Sequence, residues 1–262
     1  MEFGRTIPSS AWESSSRSRR FARTRGTRVL AALACALLLA PLAWGQTPTA
    51  LADRGDYPAA WEKASQVQTA AMQTTAARAA TDEVAYHLAR VGAPLSEELI
   101  WLNRAVTAAE TATKLDPDSA AAILQLVRAK GEIARRSGIL QNLNVAPELK
   151  TLFDRALALD PNEPDALAGL AMWHLELVKH GVGWLYGGRK EAVIPLLEKS
   201  VTLAPEQINL RLEYATALIA LGKPDGARAQ LEVALTLPTR RASDDLDKEK
   251  AADMLKGLAS DR

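Results

Sequence analysis

The chain has 262 residues, of which 48% are apolar and only 5% aromatic, with alanine and leucine abundant. That composition supports a packed core of closely approaching helices rather than a sheet. The formal charge of +1 hides an asymmetry: residues 1–45 carry seven arginines against two glutamates, which leaves 25 basic and 29 acidic residues in the remainder. A mildly acidic body has no electrostatic footprint for nucleic acid.

The first 45 residues read as a signal peptide. A basic, serine-rich stretch precedes the apolar run "VLAALACALLLAPLAW" from Val29 to Trp44, and the small residues Ala43 and Gly45 stand where a signal peptidase reads. Sixteen apolar residues broken by Pro41 are short for a membrane span, so the chain is membrane-attached only if this segment stays uncleaved. The expected destination is exported, periplasmic or secreted, with a mitochondrial presequence as the other reading of the same composition. Cys35, the single cysteine, falls inside this leader, so the mature chain has no disulfide and no thiolate chemistry.

Residues 46–116 form an N-terminal helical region: a loose start over 46–54, then about three helices across 57–80 and 82–114. From there the chain repeats. "TKLDP" at 113–117, "LALDP" at 157–161 and "VTLAP" at 201–205 share an ending, and "LTLP" at 235–238 is a fourth. Their prolines, Pro117, Pro161, Pro205 and Pro238, divide residues 117–238 into units 117–161, 161–205 and 205–238. A proline disfavours helix before it and is welcome in a first turn, so each unit reads as two helices. In the last, Leu210, Tyr214, Leu218 and Leu221 lie at helical spacing. Gly222 then ends the helix, and Ala227, Leu231 and Ala234 supply the face of the next. Residues 239–262 supply a charged C-terminal capping helix with Ser243 as its N-cap, suited to present a polar face to water.

The order Leu/Tyr, Ala, glycine turn, Ala-x-x-x-Leu-x-x-Ala, Pro resembles the tetratricopeptide repeat (TPR). "RGDYPAAWEKA", with Gly55, Tyr57 and Ala60, fits the same repeat earlier in the chain. The two longer units carry about ten extra residues between their helices. With "GEIARRSGILQNL", "LYGGRKEAVIPLLEKSVTLAP" and "ALIALGKPDGARAQLEVAL", that deviation is similar to the T component of periplasmic TRAP transporters. The regulator-of-microtubule-dynamics proteins share the same style of repeat. The resemblance implies an all-α, antiparallel helix-hairpin (TPR-like) solenoid with extended inter-helix insertions. It also implies a transporter accessory that engages an extracytoplasmic solute-binding protein, with homo-oligomers open.

No residue set carries catalysis, a cofactor or a metal. The three histidines, His87, His174 and His180, lack metal-ligand spacing and read as packing or surface residues. Asp160, Glu163 and Asp165 in "LDPNEPD" fall at a repeat junction and read as turn and cap residues. The glycines of "HGVGWLYGGRK" at 180–190 look like a phosphate loop, but a helix precedes them where a nucleotide fold needs a strand.

Two binding surfaces are expected instead. The inter-helix insertions of neighbouring repeats should emerge on one edge, bringing Ile139, Leu140 and Leu143 beside Trp184, Leu185 and Tyr186. Those side chains either fold back to cover helix ends or form an exposed binding edge. Alignment on the prolines puts Leu124, Arg128, Met172, Leu175, Leu212, Thr216 and Ile219 on the concave face, an apolar groove. The first helix of each repeat supplies that face. The expected function is a non-catalytic scaffold for protein–protein interaction; a binder of a small hydrophobic ligand is the alternative.

Overall fold

The computed structural model describes residues 46–138 and 144–260, so the predicted leader and Ile139, Leu140 and Leu143 lie outside the described residues. The described residues form one compact unit. Among the described residues every element is helical. Short α1 (Pro48–Asp53) and α2 (Tyr57–Ser65) lead into α3 (Ala70–Asp82), which runs on through a π-helical segment, Glu83–Leu88, to Val91. Then come α4 (Leu95–Leu115), α5 (Ala120–Arg136), α6 (Val145–Leu159) and α7 (Pro164–Lys179). The single turn α8 (Gly183–Tyr186), α9 (Lys190–Leu203), α10 (Ile208–Ala220), α11 (Pro224–Thr236) and α12 (Ala242–Ser260) complete the chain. No described helix is long and apolar enough to cross a membrane.

The N-terminal hairpins pack through alanine. Ala60, Ala64, Ala76, Ala77, Ala80 and Ala109 are wholly buried, and their small side chains let α2, α3 and α4 approach closely. Trp61 and Trp101 meet edge to face at 5.7 Å with the Arg104 guanidinium over both rings, so the few aromatics here fill what alanine leaves open.

The proline-marked repeats fold as helix pairs α5/α6, α7/α9 and α10/α11, and their punctuation is mechanical. In the first two junctions an aspartate accepts a backbone N–H two residues on: Asp118 donates to Asp116 at 3.3 Å and Asn162 to Asp160 at 2.9 Å. In each long repeat a cation on the second helix donates to the carbonyl of the proline that opened the repeat. Arg155 bonds Pro117, and Lys199 bonds Pro161 at 2.8 Å. Gly222, at φ 72°, ends α10 in a left-handed turn, and Lys223 donates back to the Leu218 carbonyl at 2.8 Å.

The terminal helix departs from the expected cap in two respects. Ser243 lies inside α12, whose start is held by Asp244 reaching back to the backbone N–H groups of Arg240 (2.9 Å) and Arg241 (3.0 Å). Second, its acids do not all face water, since Asp244 and Asp247 are buried. They turn inward because α12 returns to the first helices. Asp247 accepts from the Tyr86 hydroxyl at 3.4 Å, the Lys250 ammonium lies 5.0 Å from the centre of the Tyr86 ring, and Glu249 pairs with Arg90 at 3.7 Å.

Candidate binding groove

α5, α7 and α10, the first helices of the three repeats, line a cavity of about 540 Å³ closed by α3, α6 and α12. That size suits a few side chains or one small molecule. Leu124 and Val127 of α5, Leu149 and Phe153 of α6, and Trp173 and Leu177 of α7 make its apolar wall. Trp173 is fixed by its indole N–H, which donates to the Ala146 carbonyl at 3.0 Å. Gly169 makes room for Phe153: a Cβ there would lie 2.6 Å from the ring.

Much of the rest of the lining is charged. Asp82 sits between Arg128 at 2.9 Å and Arg78 at 3.3 Å, and Arg78 also bonds Asp53 at 2.7 Å. Burial works against the Arg128 charge, yet Asp82 and Tyr86 outweigh it and hold its pKa above the ordinary value. Its side chain keeps 39% of its accessibility because the groove admits water. Burial, followed by Asp247, pushes the Tyr86 hydroxyl up. Across the groove stand Glu163, Asp165 and Glu213. Burial, and secondly repulsion from Asp165, pushes Glu213 up to about 7 and Glu163 upward.

Of the seven residues expected on the concave face, Leu124, Arg128 and Met172 line the groove. Leu175 and Leu212 instead point into the core between α7, α9 and α10, while Thr216 and Ile219 are exposed outside the lining. On α10 the groove-facing residues are Asn209 and Glu213, one position on from Leu212, because Leu212 packs among the helices. The groove is therefore amphipathic rather than apolar. Proline alignment also passes over Asp82, Phe153, Trp173 and Glu213. Trp173, an indole beside a histidine in an otherwise aliphatic helix, was the one signal present in the sequence. Of the junction acids, Asp160 does turn duty, whereas Glu163 and Asp165 also face the groove.

The glycine loop splits its aromatic residues. Trp184 is 85% exposed and Leu185 55% exposed, while Tyr186 and Val182 pack on the apolar cluster behind the groove. Gly183 and Gly188 are pressed together, with Gly188 N–H donating to the Gly183 carbonyl at 2.8 Å. The loop closes on His174, which is buried and accepts the Arg189 backbone N–H on Nδ1 at 3.2 Å. Burial, then Arg189, lowers the His174 pKa, so the ring is neutral and free to accept. His87 pairs with Glu83 at 2.6 Å and His180 with Glu176 at 3.6 Å.

The family described as regulator of microtubule dynamics protein 1-3 matches over residues 59–259. Among solved structures, the fold is similar to a thermophilic TPR protein of Thermus thermophilus. The TM-score is 0.55 at 17% identity, over 77% of this chain and 92% of that one. A crystal structure of MamA aligns at a TM-score of 0.40 and 17% identity, over 76% of this chain and 92% of that one. No curated protein matches the sequence.

Proposed function

The chain belongs to the regulator of microtubule dynamics protein 1-3 family, and on that premise we propose that it is a non-catalytic scaffold whose groove takes an extended segment of a partner protein. The observation that carries this reading is the amphipathic groove along α5, α7 and α10, in a TPR-like fold whose first helices present it. A wall of fixed apolar side chains gives affinity and unevenly paired charges give selectivity. Its mixed lining suits a peptide better than a purely hydrophobic small molecule.

The basic, apolar, small-residue order of the first 45 residues supports export. With the resemblance to the TRAP T component, it supports an accessory role beside an extracytoplasmic solute-binding protein. The test is a photo-crosslinking residue at Met172, inside the groove, and separately at Thr216, outside it. The expected result is one defined protein adduct from Met172 alone, in the exported fraction. Equal adducts from both positions, or none, would sink the scaffold reading. A bound small molecule seen by native mass spectrometry instead would favour the ligand-binding alternative.

A further inference from the structure

The charges of the groove do not balance internally. Arg78 is shared between Asp53 and Asp82, Arg128 makes its close pair with Asp82, Arg135 pairs with Glu132 at 2.6 Å, and Arg241 with Asp244 at 3.4 Å. Glu163, Asp165 and Glu213 form no ion pair within 4 Å among the described residues, and Arg128 acts on Asp165 and Glu213 only from farther off. Asp165 is exposed and lines the groove, and its charge repels both Glu163 and Glu213. One turn before Glu213, the Oδ1 of Asn209, also on the lining, is buried without a hydrogen-bond partner. Partial burial of Glu163 and Glu213 beside Asp165, and the idle Asn209 acceptor, cost the free protein stability, and all four groups offer an oxygen to a donor. An ammonium or guanidinium group arriving from outside supplies the missing charge and the missing donors together.

The apolar wall sets a distance. Asp165 and Trp173 lie eight residues apart on α7, which at about 1.5 Å per residue is roughly 12 Å. An extended chain covers that span in about four residues.

We infer that the partner segment is extended and carries a lysine or arginine about four residues from a large apolar residue. The cation meets Glu163, Asp165, Glu213 and Asn209, and the apolar side chain rests on Phe153 and Trp173. This rests on the scaffold reading of the groove, and charge complementarity selects the occupant.

A random-peptide display library panned on the full chain tests it, followed by fluorescence anisotropy with the enriched peptides. The enriched set should share a Lys or Arg spaced about four residues from Leu, Phe or Trp. Exchanging that cation for Glu should weaken binding at least tenfold. Asp165→Asn combined with Glu213→Gln should do the same to the basic peptide, with no loss of Tm. Glu213→Arg should reverse the preference towards the acidic peptide. Enriched peptides that are neutral or acidic, or that bind the Asn/Gln variant undiminished, overturn the inference and leave the scaffold reading standing. No enrichment of any peptide overturns both.

Discussion

The backbone N–H of Arg189 donates to Nδ1 of His174 at 3.2 Å, tying the end of the glycine loop to the interior of α7. The buried ring must be neutral to accept that bond. Burial lowers its pKa below the ordinary value near ~6.5. The unfolded chain therefore takes a proton there before the folded protein does. The stability owed to neutral His174 is full above about pH 6.5 and declines as pH falls below it. Wild type should lose stability on acidification over that range, and His174→Ala should lose this slope. The variant should also cost about 2–4 kcal/mol through a lost bond and a cavity. Urea melts across pH 5–8, with hydrogen exchange at the Arg189 amide, read both.

Glu213 moves stability in the opposite direction. Its folded pKa is raised to about 7 from an ordinary 4.5. Its contribution is full below about pH 4.5 and lost as pH rises through about 7. Glu213→Gln imitates the protonated form. The difference between variant and wild type should be close to nil at pH 4. It should grow to about 1 kcal/mol in favour of the variant at pH 8, with groove water tempering the effect. Paired melts at the two pH values isolate this group from His174.

Trp184 and Tyr186, two residues apart, should behave differently. Trp184→Ala removes an 85% exposed ring and should leave stability within about 0.5 kcal/mol. Tyr186→Ala removes a ring packed on the apolar cluster and should cost about 1–2 kcal/mol. Thermal melts of the two single variants make the comparison.

Gly188→Ala should be expensive without any strain in φ. The added methyl would lie 2.8 Å from Cβ of Leu177 and 3.0 Å from Cα of Gly183, neither of which can swing aside. A loss of about 1–3 kcal/mol is expected in denaturant melts. Gly257→Ala, with open space around it, is the matched control and should be neutral or slightly stabilising.

The repeat fold was legible because proline, aspartate and glycine act locally: Asp116, Asp160 and Gly222 do in the structure what their residue types favour in any chain. The groove lining was only partly legible. A helix exposes a different face when its position moves by one, since each residue turns it about 100°. Leu212 and Glu213 differ by that single step, and packing of α10 among its neighbours decides which meets the groove. Nor does sequence show that Asp82 pairs with Arg128, 46 positions away. The loop's two fates for Trp184 and Tyr186 follow from the single turn α8, which points them to opposite sides.

The return of α12 to Tyr86 changes how the array should come apart. An open stack of repeats touches only its neighbours, so it can fray inward from either end, one unit at a time. Here residues 86 and 247 are in contact across 161 positions, which removes the free ends from which fraying starts. Melting should then be a single sharp transition, and folding slower than for an open array, because closing that long loop must come before its reward.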